Sequence, residues 1–295
     1  IKVKKGNRVY DSRKGCNAII ESENDRLVQA CATTKIPKGT KVIAKDAFEY
    51  VDVTDFHIPS SVVEIEHGAF FGSGLKGRLV IPANVKRIGE RAFSCCYGID
   101  ELVVEEGVET IDDAAFSNCT GLRRAELPAS LKNFGSGLRY SCVFEGCHLL
   151  EEIDIPEENP YYYCYRNAVV EKGTLTVVDG TGLGHCQLHI GLQEYRPKRI
   201  ASGAFRWLPY LTAIWLPETL EEIETGAFFD CPSIEFIYCA GKIPPLLGDR
   251  NFDLVHQSNW RIPPKERIVI VVPEGSLEAY RNAPGWKEFK RIIEN

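Results

Sequence analysis

The chain contains a glycine-rich segment, residues 180–184 (GTGLG), with the composition of a phosphate-binding loop. In such loops a strand leads through the glycines into a helix, whose first backbone N–H groups hold the phosphate. An apolar strand-like stretch does precede this segment, but residues 187–190 (QLHI) after it read as another strand. We therefore interpret the segment as a loop and predict no nucleotide site.

The neighbouring His185, Cys186 and His189 are residue types that bind transition metals. A structural zinc site needs four ligands, and no second pair at ligand spacing accompanies these three residues. No Ser/His/Asp or paired-carboxylate arrangement stands out elsewhere in the sequence. The sequence therefore predicts no metal site, no cofactor and no catalytic residue.

The chain has 11 cysteines, an odd number that argues against a complete set of disulfides. Four of them stand three residues after a phenylalanine that recurs along the chain: Cys96, Cys119, Cys147 and Cys231. That position calls for a small apolar side chain beside a turn, which a free thiol supplies. We predict that these cysteines pack in the core and neither bind metal nor take part in redox chemistry.

The recurring phenylalanine marks an internal repeat. Phe70, Phe93 and Phe116 are 23 residues apart, and so are Phe205 and Phe228. An isoleucine lies five residues before each of these phenylalanines. A period in the twenties is typical of a solenoid, in which each unit buries its apolar edge only by stacking on its neighbours.

Each repeat contains a segment that reads as a β-strand. Residues 122–127 (LRRAEL) and 150–155 (LEEIDI) alternate apolar and polar, so one side faces the core and the other faces water. A proline ends each segment, since it has no N–H to donate to a sheet. The V-x-x-I-x-x-x-A-F stretch that follows is predicted to form a turn and a short helical or 3₁₀ segment. Its Phe should stack on the Phe of the next repeat as an internal column.

The motif I-P-x-x-V-x-x-I-G-x-x-A-F-x-x-C, present at residues 81–96 and nearly repeated at 58–70, resembles that of the BspA-type leucine-rich-repeat proteins. The resemblance covers about residues 36–240, and residues 241–295 resemble the C-terminal cap of such proteins. It implies an α/β repeat solenoid that is rich in β-structure, with short parallel strands on one face and a cap at each end. Members of this family are mostly surface or secreted proteins of Bacteroides-type bacteria, and some bind host or matrix proteins.

We expect one solenoid domain with three parts. Residues 1–35 form an N-terminal cap with a β-hairpin, residues 36–240 form the repeats, and residues 241–295 form a C-terminal cap. Trp286 and Phe289 should plug the open end of the core. The hairpin residues 17–21 (NAIIE) return as 167–171 (NAVVE), which predicts a second hairpin within an insertion at about 157–199.

The composition bears on whether the protein binds nucleic acid or spans a membrane. The net charge is −6, from 35 Lys and Arg against 41 Asp and Glu, so a surface that coats nucleic acid is not indicated. The longest aliphatic run, residues 268–272, is too short to cross a bilayer. The residues that follow Ile1 do not read as a leader peptide, and the expected location at the cell surface or outside the cell rests on the resemblance alone.

Function in a solenoid has to be sought on the outward side of its strands. These positions are of mixed charge in the earlier repeats and aromatic in the last repeats. The predicted binding residues are Trp215, Phe236, Tyr238, Arg124, Glu126 and Asp154. Neighbouring strands lie about 4.8 Å apart, so the aromatic side chains should cluster and form the centre of a binding surface. Alternatively, the insertion or the C-terminal cap covers them.

Three functions from different classes remain. The first is a non-enzymatic protein that binds a host or matrix protein, or a glycan, along the strand-lined face. The second is a structural spacer or self-association module of the cell surface. The third is an enzyme that uses the insertion. The fold alone does not decide among them, because function lies in the surface residues and not in the stack.

Overall fold

The computed structural model describes residues 1–53, 56–135, 142–165, 168–180, 187–190, 196–254 and 264–295. Within these ranges the residues up to Tyr163 form one compact unit, and the residues from Cys164 onward form a second. Both units are built from coils of short parallel strands. None of the helices in the described ranges is long and apolar enough to cross a membrane.

The first unit contains two sheets. Its strands are β1 (Tyr10–Asp11), β2 (Ile19–Glu21), β3 (Arg26–Gln29), β4 (Val42–Ile43), β5 (Glu64–Ile65), β6 (Lys76–Ile81), β7 (Arg87–Ile88), β8 (Gly98–Val104), β9 (Thr110–Ile111), β10 (Arg124–Glu126), β11 (Asn133–Phe134) and β12 (Glu152–Asp154). The short-strand sheet has the order β1-β2-β3-β4-β5-β7-β9-β11, and the long-strand sheet has the order β12-β10-β8-β6. From β3 onward the neighbouring strands of both sheets are parallel.

The second unit repeats this arrangement after β13 (Tyr162–Tyr165), where the chain passes from one unit to the other. Its strands are β14 (Ala168–Glu171), β15 (Thr176–Asp179), β16 (Gln187–His189), β17 (Arg199–Ile200), β18 (Ala213–Leu216), β19 (Glu222–Ile223), β20 (Phe236–Cys239), β21 (Leu246–Leu247), β22 (Val269–Val272) and β23 (Arg291–Glu294). One sheet runs β14-β15-β17-β19-β21, and the other runs β16-β18-β20-β22-β23.

Helix is scarce in the part of the chain that the structure describes. It is limited to α1 (Pro264–Arg267), α2 (Leu277–Asn282) and single 3₁₀ turns at Arg13–Gly15 and Trp286–Glu288. The α component of the predicted α/β class is therefore not supported, and the described chain is a β-solenoid.

The coil around Phe93 shows why strands replace the predicted helical segment. The chain passes through β6, then through β7, and then through a turn that carries Phe93. In β7 Ile88 is buried and Arg87 is exposed, which is the alternation of a half-buried strand. The prediction of strands on one face was wrong, since parallel strands line two sides of each coil.

The third side of the coil is the turn that carries Phe93. Backbone hydrogen bonds to the next coil keep this turn from becoming helical. The N–H groups of Phe93 and Cys95 donate to the carbonyl oxygens of Ala115 and Ser117 in the next coil, both at 2.8 Å. Arg91 and Cys95 have left-handed backbone conformations, with φ of 55° and 61°. Alternate residues thus direct their N–H groups at the next coil, whereas an α-helix needs these groups within its own turns.

The predicted column of phenylalanine rings is confirmed within each unit. In the first unit the ring centroids of successive members are 4.7, 4.9, 5.3 and 5.9 Å apart along Phe48, Phe70, Phe93, Phe116 and Phe144. In the second unit they are 5.1 and 5.4 Å apart along Phe205, Phe228 and Phe252. All eight residues are at most 2% exposed, so the rings form the centre of each core.

The four cysteines of the repeat are buried as predicted, and they also form hydrogen bonds. Each thiol donates to the carbonyl oxygen of a phenylalanine one coil earlier, at 3.1 to 3.2 Å. The pairs are Cys96 with Phe70, Cys119 with Phe93, Cys147 with Phe116, and Cys231 with Phe205. Burial raises the pKa of the Cys96 and Cys231 thiols to about 12, which keeps them protonated as donors.

The hairpins and the C-terminal plug also agree with the sequence. Strands β2 and β3 pair antiparallel, as do β14 and β15. At the C-terminal end Trp286 is fully buried, Phe289 is 4% exposed, and the Trp286 indole N–H donates to the carbonyl oxygen of Pro245 at 2.8 Å. Strand β23 pairs with β22, so the aliphatic strand at 269–272 is not left as a sheet edge.

Replacing Phe93 by Ala should lower the free energy of unfolding of the first unit by about 3–5 kcal/mol, because it opens a cavity between two stacked rings. Urea denaturation measures this change. Tyr97→Ala is the control, since Tyr97 lies in the same unit, is 61% exposed and should cost much less. Equal losses in the two variants would contradict a central role for the column.

Acid should weaken the N-terminal end of the first unit. The guanidinium of Arg13, 2.7 Å from the Asp11 carboxylate, lowers the pKa of Asp11 from 3.8 to about 2. Because the folded pKa is the lower one, the stabilisation is complete above about pH 4 and is lost as the pH falls towards 2. Asp11→Asn should flatten the pH dependence of the unfolding free energy over this interval, and parallel curves for the two proteins would refute the assignment.

Candidate functional site

Three parallel strands of the second unit bring the predicted aromatic residues together. Strands β16, β18 and β20 pair in register, with Leu188, Ile214 and Ile237 side by side and at most 2% exposed. The next residue of each strand therefore faces the opposite side of the sheet. These outward residues are His189, Trp215 and Tyr238, and all three are half-buried.

The outward rings form a stack. The His189 and Trp215 centroids are 4.1 Å apart at 12° between planes, and the Trp215 and Tyr238 centroids are 4.7 Å apart at 9°. Phe236, two residues before Tyr238 on β20, lies 6.0 Å from the Tyr238 ring. We call these four residues the aromatic patch. Neither the insertion nor the C-terminal cap buries it completely, since Phe236 is 37% exposed.

The stacking determines what the aromatic patch presents to a partner. Both faces of the Trp215 ring are occupied, one by His189 and the other by Tyr238. The surface of the stack therefore consists mainly of ring edges and of the polar atoms at their tips. Ring edges carry partial positive charge, and they favour carbonyl or carboxylate oxygens and the faces of other aromatic rings.

His189 was not among the residues predicted to bind, although it begins the stack. The sequence pointed to it only as a possible metal ligand, and its proposed companions His185 and Cys186 lie outside the described residues. Within the described ranges no group of three or more His, Cys, Asp or Glu side chains is arranged to hold a metal ion. His189 precedes Trp215 by 26 residues instead of 23, so the repeat spacing did not align the two. The one sequence signal that could have placed His189 outward is the alternation of polar and apolar residues in Gln187-Leu188-His189.

The other predicted residues, Arg124, Glu126 and Asp154, lie in the first unit on the outward side of the long-strand sheet. The Arg124 guanidinium is 3.1 Å from Glu126 and 3.6 Å from Glu152 on the neighbouring strand. Arg124 is therefore neutralised by carboxylates of its own sheet. Exposed pairs of this kind contribute little to stability, about 0–1 kcal/mol, and a partner would have to displace them.

A groove runs along the short-strand sheet of the first unit, with a volume of about 830 Å³. Its charged side chains are paired with one another or with adjacent coils. Arg87 contacts Asp112 at 2.7 Å, and Glu66 in the groove accepts a hydrogen bond from Arg26 at 2.6 Å. Gly89, at the floor of the groove, packs closely against the preceding coil. A Cβ atom added to Gly89 would come within 2.8 Å of the backbone nitrogen of His67. We interpret these contacts as links between coils.

Comparison with known proteins agrees with this architecture. The family model described as BspA type Leucine rich repeat region, in six copies, matches residues 41–170 and 144–253. A comparison with curated protein sequences finds no match.

Several solved bacterial structures share the fold at low sequence identity. A leucine rich cell surface protein from Faecalibacterium prausnitzii is 23% identical with a TM-score of 0.59, and the match covers 86% of this chain and 63% of that one. The pneumococcal vaccine antigen PcpA is 19% identical with a TM-score of 0.55, covering 90% of this chain and 78% of that one. A leucine-rich repeat protein from Bacteroides ovatus is 18% identical with a TM-score of 0.55, covering 97% and 74%.

Proposed function

The chain belongs to the BspA-type leucine-rich-repeat family, and we propose that it is a non-enzymatic recognition or adhesion protein that binds a protein partner through the aromatic patch. The observation that carries the proposal is the ring stack of His189, Trp215 and Tyr238 on the outward side of three parallel strands. We also propose a location at the cell surface or outside the cell. The description of the Faecalibacterium structure as a cell surface protein supports that location.

The residue types of the aromatic patch suit an interface. Trp and Tyr combine a large apolar area with a polar tip and few rotatable bonds, and they are enriched among residues that carry binding energy. Core packing does not require these side chains, since Ile214 and Ile237 already fill the inward positions of the same strands. An outward stack that the core does not need is therefore best explained by a partner.

A protein partner fits the stack better than a glycan. Sugar rings commonly lie flat on an exposed aromatic face, and the faces of Trp215 are both covered. A peptide segment can offer carbonyl oxygens, carboxylates or an aromatic ring to the exposed edges. In this proposal Arg124, Glu126 and Asp154 of the first unit do not form the centre of the site, because Arg124 is already neutralised by its neighbours.

Replacing Trp215 and Tyr238 together by Ala should weaken binding to the protein partner by at least about 100-fold, as expected when two central aromatic residues are lost. The partner is first identified by a screen of purified matrix proteins and host glycans on immobilised surfaces, followed by affinity measurement. Tyr210→Ala is the matched control, because Tyr210 is 71% exposed in the same unit and outside the stack.

The control variant should bind within about twofold of the unchanged protein, since it leaves the stack intact. Circular dichroism and thermal melting establish that the double variant is folded. Undiminished binding by a folded double variant would remove the aromatic patch from the function.

Self-association is the alternative function, and exposed apolar residues near β21 favour it. Ile243 is 83% exposed and Leu246 is 69% exposed, and β21 lies at the end of its sheet. If this edge joins two copies, light scattering should detect dimers at high concentration, and Leu246→Glu should abolish them by placing a charge in the contact. A monomer at every concentration would exclude this alternative.

A further inference from the structure

The charge of the protein is distributed unevenly along the chain. Residues 1–45 carry 11 Lys or Arg against 4 Asp or Glu, a net charge of +7. Residues 46–295 carry 24 against 37, a net charge of −13. The small overall charge therefore conceals a basic N-terminal end.

Most of the cations at this end lack an ionic partner. Seven are exposed and form no ion pair with any residue that the structure describes, and we call them the basic patch. They are Lys2, Lys4, Lys5, Arg8, Lys14, Lys38 and Lys41. By contrast, Arg13 pairs with Asp11 and Asp25, and Arg26 pairs with Glu66. Three of the four acidic residues in 1–45 thus lie within ion-pair distance of Arg13 or Arg26, which are outside the basic patch.

Hydrogen bonds hold the segments of the basic patch beside one another. The backbone N–H of Val3, between Lys2 and Lys4, donates to the Ser12 hydroxyl at 3.0 Å. Arg13, adjacent to Lys14, bonds to the Asp25 carboxylate, and the carbonyl oxygen of Asp25 accepts the N–H of Lys41 at 2.9 Å. Residues distant in sequence are therefore gathered at one end of the first unit.

We propose that the basic patch binds a sulfated polysaccharide. Six of its seven cations are lysines, which act as strongly hydrated point charges and respond to charge density more than to a planar, bidentate geometry. Six of the cations lie on turns and irregular backbone, and Lys14 lies in the single 3₁₀ turn Arg13–Gly15. No amphipathic helix carries them, so the surface lacks the continuous apolar face that inserts into a bilayer. A flexible polyanion can follow such dispersed charges and bind several at once.

This proposal does not depend on the aromatic patch. The basic patch lies in the first unit and the aromatic patch in the second. The Trp215→Ala, Tyr238→Ala double variant should therefore bind sulfated polysaccharide as the unchanged protein does. Failure of one proposal leaves the other intact.

Heparin is the probe, and its affinity is measured by calorimetry at several salt concentrations. The unchanged protein should bind at low ionic strength and lose affinity steeply as salt is added, because binding releases counterions. The variant K2Q/K4Q/K5Q/R8Q should bind at least about tenfold more weakly with a shallower salt dependence, since four of the seven contacts are neutralised.

The matched control is K242Q/K287Q/K290Q/R291Q, which removes the same residue types and the same charge from exposed positions in the second unit. It should bind heparin within about twofold of the unchanged protein. Equal weakening of the two variants would overturn the proposal in favour of a general effect of net charge, and absence of heparin binding at low salt would overturn it outright.

Two further probes test the class of polyanion. Vesicles that contain phosphatidylserine present anionic headgroups on a bilayer, and duplex DNA presents phosphates on a rigid helix. Tighter binding of vesicles than of heparin would assign the basic patch to a membrane surface. Tighter binding of DNA would assign it to nucleic acid, and either result would overturn the proposal.

Discussion

The structure depends on contacts that each coil makes with the next. A single coil has two short strands and one buried phenylalanine, which is too little apolar surface to offset the entropy lost on folding. Stacking supplies what a single coil lacks, because it pairs the backbone N–H and C=O groups of neighbouring coils and encloses the phenylalanine rings in a column. The thiol-to-carbonyl bonds at Cys96, Cys119, Cys147 and Cys231 extend the same principle to side chains, since each joins two successive coils.

The sequence predicted those features that repeat with a fixed spacing. The column of phenylalanines, the buried cysteines and the long strands all follow from a repeat of 23 residues, which lengthens to 28 between Phe116 and Phe144. The second sheet was missed because its strands have only two residues, such as Arg87–Ile88, and so brief an alternation does not distinguish a strand from a turn. The sequence did not predict the positions with left-handed backbone conformation either. Glycine occupies them at Gly68 and Gly72, but Arg91 and Cys95 occupy them one coil later.

The candidate site was only partly predictable, because it depends on register between strands and not on the repeat alone. Trp215 and Tyr238 are separated by one standard period, and their clustering followed directly. His189 belongs to a coil of different length, so its place in the stack became evident only from strand pairing. The pairing of Arg124 with Glu126 and Glu152 was likewise a matter of side-chain geometry, which alternation of residue types does not specify.

The direction of the hydrogen bonds on the turn side has a consequence for how such a chain can evolve. In each coil these N–H groups point toward the following coil, as from Phe93 to Ala115, so every coil offers donors to one neighbour and acceptors to the other. Duplication or deletion of a complete coil preserves that complementarity and leaves the outward residues of other coils unchanged. Insertion of one residue would instead exchange the inward and outward sides of a strand. The strands should therefore keep their length while binding surfaces diversify by substitution at outward positions, and coils should lengthen only outside the strands, as between Phe116 and Phe144.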